Sequence, residues 1–239
     1  MNATTAPWKV LEHGPLETLA PNLWRVEGAI PNMSLRRVMV VARMTDGRLV
    51  IHNGIAVDEA TLASVLACGT PAFLVVPNGG HRLDAPAWKA RFPDLRVVAP
   101  RGSRAKVEEK VAVDLACDEF PADDTVSFAK LDGIDDTEAA MLVRSADGVS
   151  VVLNDIVFNM DTKKDFLGWL ITTIFGSAPG PRVSRLAKFM FVKDKAKIRA
   201  SLERLADTKD LVRLFVAHEK VASGPAAREA LKTAATYLA

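Results

Sequence analysis

One order of sequence patterns occurs twice in this chain, and it limits the available folds more than any other feature. In the first copy, Arg37-Val-Met-Val-Val-Ala-Arg-Met44 and Arg48-Leu-Val-Ile-His52 flank Thr45-Asp46-Gly47. Asp-Gly supplies the positive φ that tight hairpin turns require, so two antiparallel strands are predicted. Asp58 then caps a helix through Leu62, Val65 and Leu66, which Gly69 closes. Ala72-Phe-Leu-Val-Val76 reads as a fully buried strand that runs into Pro77-Asn78-Gly79-Gly80-His81. In the second copy, Glu138 to Arg144 and Val149 to Leu153 flank Ala146-Asp147-Gly148. A helix follows the cap Asp194 with Ile198, Leu202 and Leu205 on one face, and Leu211 to Ala217 is another buried strand, ending at His218. The economical explanation is one domain over residues 1–239 with pseudo-duplicated halves at about 22–115 and 125–239. Two sheets would then pack face to face with helices outside.

The remaining segments fit around these copies. Residues 95–99 predict a further strand, 103–110 a short polar helix, and the acidic stretch from Asp114 to Asp136 short edge strands and turns. Ala226 to Leu238 is an amphipathic helix with Ala227, Leu231, Ala234 and Leu238 on one face, and Pro225 fits its first turn. No linker or low-complexity segment divides the chain.

Bulk composition excludes several classes. At 49% hydrophobic and 25% charged, the chain has the balance of a globular protein with a filled core. A net charge of +2, spread along the sequence, offers no basic stripe for nucleic acid. Met1 to Glu12 has few basic residues and no continuous apolar run, so no signal peptide is expected. Phe166 to Phe175 is the most apolar stretch but is shorter than the roughly 20 residues a transmembrane helix needs. Cys68 and Cys117 lie in unrelated segments and read as reduced, buried thiols. A cytoplasmic location follows.

Reactive side chains in such an architecture gather where strands end. Four segments qualify: His52-Asn53-Gly54, Asn78 to Asp84, Asn154-Asp155 and His218-Glu219. Each residue has a structural reading beside its chemical one. His81 is a metal ligand, or it caps the next helix or bonds a backbone carbonyl. Asp155 is a ligand, or a carboxylate that accepts backbone N–H groups. His218 is a ligand, or it ties the last strand to its loop. His52 pairs with Asp155 or His218, or is a partly exposed bystander; with Asn78 it is a candidate substrate-binding residue. Asp84, followed by Ala85-Pro86, reads as a helix N-cap. Asn78-Gly79-Gly80 lacks the Lys-Ser/Thr of a phosphate loop, so turn geometry accounts for its glycines.

These segments resemble the metallo-β-lactamase fold superfamily along nearly the whole chain. The hairpin from Arg43 to Gly54 is similar to that fold's opening, and Phe73 to Asp84 stands where the family carries T-H-x-H-x-D-H-x-G-G. Val151 to Phe158 resembles its G-D-x-x-F strand end, and Phe215 to Glu219 its P-G-H-G segment. The sequence is also similar to a branch of uncharacterised proteins with a P-N/S-x-x-H loop. The resemblance implies an α/β protein with an αββα four-layer sandwich, Asp155 at the metal-bridging carboxylate and His218 at the last histidine ligand. The departures are as informative. Only His13, His52, His81 and His218 are present, His52 replaces the opening aspartate, and Gly133-Ile-Asp-Asp-Thr137 replaces the middle histidine segment. The usual two-metal centre is therefore not expected. His81, Asp155 and His218 remain for a single zinc, iron or manganese ion, with Asp84 or Asp136 as a further oxygen.

Three functions are open at this point. The chain is a family member without the dinuclear centre, a non-classical or inactive hydrolase relative in a binding or unknown role, holding no metal. Or it is a hydrolase with one metal, metal-activated water as nucleophile and Asp84 as base, acting on a small molecule. Or it is an interaction module whose Phe166 to Phe175 patch, rimmed by Lys163, Lys164, Arg182, Arg185 and Lys188, meets a membrane, an anionic ligand or a second copy in a homodimer.

Overall fold

The computed structural model describes residues 6–239, so the first five residues of the stretch from Met1 to Glu12 lie outside it. Seven strands form the first sheet in chain order. β1 (Glu17–Ala20) and β2 (Leu23–Ile30) open it, and sequence reasoning assigned neither. β2 runs antiparallel to β3 (Met33–Arg43), which the predicted turn joins to β4 (Arg48–His52). Gly47 sits there at φ 87°, the conformation that requires glycine. Asp58 caps α1 (Glu59–Ala67) by accepting the Thr61 N–H at 2.7 Å. That helix returns the chain so that β5 (Thr70–Val75) lies parallel to β4. After α2 (Ala85–Arg91), β6 (Arg96–Ala99) adds in parallel to β5. After α3 (Arg104–Glu108), β7 (Leu115–Ala116) completes the sheet.

The second sheet repeats the construction with five strands. β8 (Val126–Lys130) is its edge, and β9 (Ala139–Ser145) turns into β10 (Gly148–Val152). The crossover to the next parallel strand is much longer than in the first sheet. It holds α4 (Phe166–Trp169), a π-helical turn over Leu170–Ile174, α5 (Arg185–Met190) and α6 (Lys195–Ala206). Asp194 caps α6 as expected, accepting the Lys197 N–H at 3.1 Å. β11 (Leu211–Phe215) then pairs parallel with β10, followed by β12 (Ala222–Ser223) and α7 (Pro225–Thr236).

Three apolar layers hold these elements together, and burial of their side chains is the main stabilising term. Val50, Phe73, Val75 and Val98 of the first sheet meet Met141, Val143, Val152 and Phe215 of the second. On the outer face of the first sheet, Ile51, Leu74 and Val97 pack against Leu62 and Val65 of α1 and Trp88 of α2. On the outer face of the second, Val151 and Leu214 pack against Ile198 and Leu202 of α6 and Leu231 of α7. Both central strand pairs are thus covered on two faces, which explains their continuous apolar runs. The expected αββα order is what the chain adopts. Both thiols are free, and Cys117 is buried while Cys68 is half-buried. No helix among the described residues is long and apolar enough to cross a membrane.

Candidate metal centre

The loops that follow β5, β10 and β11 bring His81, Asp155 and His218 together. His81 Nε2 lies 3.1 Å from Asp155 Oδ1, and His218 Nε2 lies 3.5 Å from the same oxygen. One donor atom from each residue falls within 4.8 Å of the other two. Phe158 stacks flat on His218, with ring centroids 5.9 Å apart and planes at 3°.

What holds the imidazoles also fixes their protons. His218 Nδ1 lies 2.8 Å from the Arg36 carbonyl oxygen, which can only accept, so this nitrogen donates. His81 Nδ1 lies 3.2 Å from Asn53 Oδ1. The Asn53 amide is itself oriented, because its Nδ2 donates to the Val38 carbonyl at 2.9 Å. Its oxygen therefore faces His81, whose Nδ1 also donates. Both Nε2 atoms are left pointing at Asp155, the ring orientation that carbonyl partners impose on metal-binding histidines.

Asp155 is set by two further residues. Asn78 Nδ2 donates to Asp155 Oδ2 at 2.8 Å, while Asn78 Oδ1 accepts the N–H groups of Gly80 and His81 at 2.8 and 3.2 Å. Glu138, at the head of β9, accepts the backbone N–H groups of Asn154, Asp155 and Ile156 at 2.6, 2.9 and 3.1 Å. Burial and the nearby Asp155 charge push the Glu138 carboxyl up to about 8 against those three donors. At Asp155 burial also opposes ionisation, but the two histidines outweigh it and hold the carboxyl far below the usual range. Burial disfavours the charged form of His218, yet its bond to Asp155 and that residue's charge raise it above the ordinary imidazole value.

Several residues stand elsewhere than their sequence patterns suggested. Asp84 precedes α2 but makes no side-chain capping bond. Its Oδ2 instead accepts from Arg37 Nη2 at 2.6 Å and from the Ala56 N–H at 2.9 Å, with both charged residues buried. His52, expected to be partly exposed, is 2% exposed, because β4 is covered on both faces. Its Nδ1 finds no partner among the described residues, and burial, with the charge of His81, pushes the imidazole down to about 3. His81 caps no helix. Asp155 accepts no backbone N–H among the described residues; Glu138 takes that part. Asp136 turns away to pair with Lys130 at 3.1 Å. Glu138 and Arg37 were given no functional reading from the sequence, and Asn53 was named only as a member of the His52-Asn53-Gly54 segment. The one hint was a carboxylate heading an otherwise apolar strand at Glu138.

A cavity of about 570 Å³ opens from the cluster, with Asn78, His81, Asp155 and His218 at its polar end. Ile171 of the π-helical turn and Leu186 and Met190 of α5 wall it, so the long crossover forms one side of the pocket. The donor set suits a single divalent ion: two imidazole nitrogens and one carboxylate oxygen, converging from rigid strand ends.

No protein-family model matches the sequence, and no curated protein matches it. Solved structures do. The metallo-β-lactamase DIM-1 exposed to ceftazidime is similar with a TM-score of 0.63 at 10% identity, covering 97% of this chain and 100% of that one. FIM-1 from Pseudomonas aeruginosa in its mono-zinc form aligns with a TM-score of 0.61 at 8% identity over 96% and 98% of the two chains. A metallo-β-lactamase from Hirschia baltica aligns with 0.57 at 12% identity over 94% and 98%. Across nearly its whole length, the chain has the metallo-β-lactamase fold.

Proposed function

We propose that this protein binds one divalent metal ion through His81, Asp155 and His218 and is a hydrolase that depends on it. The observation supporting this reading is the convergence of two Nε2 atoms on one carboxylate oxygen while both Nδ1 atoms already donate to oxygens. Two imidazole nitrogens and a carboxylate oxygen converged in this way share a cation, which is a proton on the histidines in the metal-free protein and a divalent ion when one displaces it. Bound there, zinc, iron or manganese would supply Lewis acidity toward a carbonyl or phosphoryl oxygen and toward water.

The chain's own residues do the positioning. Asn78 turns Asp155 toward the imidazoles, Glu138 clamps the backbone beneath it, and Phe158 backs the His218 ring. Asp84 stays outside this machinery as the counter-ion of Arg37, and we assign it no proton transfer. One ion rather than two fits the histidine inventory. His13 pairs with Asp58 at 3.7 Å, and His52 lies buried on the face of β4 that meets the second sheet. FIM-1 is a relative in fold that was solved in a mono-zinc form, so one ion is compatible with this architecture.

Elemental analysis of protein purified without chelator tests the proposal. Near-stoichiometric zinc, iron or manganese is expected, and His218→Ala should lose it while circular dichroism still reports a folded chain. Protein that holds no metal as purified and takes up none on titration would overturn the reading in favour of a metal-free binding role.

A further inference from the structure

We propose that the substrate of this site is an amphiphile with a straight acyl chain, the chain lying in the cavity and its ester or amide linkage reaching the His81–Asp155–His218 end. The chemistry of the step rests on the hydrolase reading above; the specificity rests on the cavity alone. Its polarity is uneven. Beside Asn78, His81, Asp155 and His218 the lining is mainly apolar, with Met33, Leu35, Ile171, Leu186 and Met190 among its members and Ser103, Lys106 and Thr137 as the other polar side chains.

The other polar side chains along the walls are already engaged. Ser103 Oγ donates to the Thr137 carbonyl at 2.7 Å, and Lys106 Nζ pairs with Glu109 at 2.9 Å. Apart from the remaining donors of Lys106, such walls offer few side-chain groups with which to read a polar outline. They can read apolar length, because each methylene removed from water adds a similar increment. The cavity's volume lies within the roughly 300–1,000 Å³ typical of small-molecule sites.

Large apolar side chains are also exposed on α4 and α5, the two helices that flank the lining residue Ile171 in the chain. Met190 is 52% exposed, its neighbour Phe189 is 87% exposed, and Phe166 at the start of α4 is 74% exposed. α4 is tethered beside Met33 through a hydrogen bond from Ser34 to its cap Asp165. Apolar side chains this bare suit a ligand that leaves an apolar assembly and slides inward without crossing open water. In the reaction, the bond between the acyl carbonyl carbon and the head group's oxygen or nitrogen breaks. Water's oxygen joins the acid, one of its protons goes to the released alcohol or amine, and the other goes to solvent.

Calorimetric titration of hexanoate, octanoate and decanoate into chelator-treated and zinc-loaded protein, below their micelle concentrations, tests this. Affinity should rise about fourfold per methylene, which is 0.8 kcal/mol converted at 1.4 kcal/mol per tenfold, in both forms. Leu186→Glu should weaken decanoate binding at least tenfold without changing metal content. Ile171→Trp, which fills the cavity without charge, should shorten the longest chain that still gains affinity. Affinities independent of chain length, binding seen only with micelles, or a dimer that buries these walls and excludes the acids would each overturn the inference. Protein that holds metal but ignores chain length loses this inference and keeps the hydrolase reading. Protein that follows chain length but never takes metal does the reverse.

Discussion

Asp84 and Asp155 occupy the loops after β5 and β10, in the two halves of the molecule, and they are neutralised in opposite ways. Asp84 faces Arg37, whose Nη2 lies 2.6 Å away and whose Nε donates to the Ala29 carbonyl at 3.1 Å. A guanidinium stays charged at every pH the protein meets, so this carboxylate carries a permanent cation supplied by β3. Among the described residues, Asp155 receives no guanidinium or ammonium group; two imidazoles and an amide face it. An imidazole is neutral or charged near neutrality, and its neutral form is a metal ligand. One side of the rim is therefore closed by an ion pair within the fold. The other has no such permanent cation, and in the proposed reading it is left to a metal ion that can come and go.

The largest effect should come from removing the two carboxylates in turn. Asp84→Ala strands the Arg37 guanidinium in a buried site, which costs about 3–5 kcal/mol. The urea midpoint should fall accordingly, while metal bound per folded molecule stays as in the parent. Asp155→Ala should abolish metal binding but lower the stability of metal-free protein by only about 1–2 kcal/mol, because the imidazoles can become neutral. Equal losses of stability with metal retained in both variants would break the contrast.

A smaller effect is expected at Asn53, which sharpens the account of the exchangeable side. Its amide is the fixed acceptor for His81 Nδ1, so Asn53→Ala frees the ring to rotate. Removal of such outer partners weakens metal binding by roughly 10- to 100-fold. Competition against a chromophoric chelator would measure it. An unchanged dissociation constant would mean that something other than Asn53 sets the ring.

The sequence carries the fold and the site to different depths. Hairpins at Asp46-Gly47 and Asp147-Gly148, the caps Asp58 and Asp194, and the two buried strands are local signals, each decided within a few residues. β2 was equally local, since Trp24, Val26 and Gly28 are each followed by a less buried residue, yet it lacks a flanking turn of comparable strength. His81, Asp155 and His218 could be named because strand ends and family resemblance point to them. Their supporting partners could not, because contact there depends on tertiary packing. Arg37 and Asp84 are 47 positions apart, Asn53 and His81 28, and Glu138 and the Asn154 N–H 16. His52 was misread for a reason visible in the strand itself. It shares a face with Val50, and in a strand covered on both sides that face is interior.

His52 also gives the smallest and most specific test, since it separates burial alone from burial beside an acid. Both imidazoles are buried; Asp155 raises the one on His218, while nothing accepts from His52 Nδ1 and burial drives that ring down from 6.5 to about 3. Between those two values the unfolded chain binds more protons than the folded one, so stability falls as the pH is lowered through that window. The loss from this single group is about 1 kcal/mol between pH 6.5 and 5.5. His52→Leu removes it and leaves every other titrating group in place. Urea midpoints of parent and variant, compared at both pH values, should therefore show the variant gaining about 1 kcal/mol on the parent at the lower pH. A gap that is the same at both values would show that His52 takes up its proton in the folded protein as readily as in the unfolded chain, and burial would not then be what distinguishes it from His218.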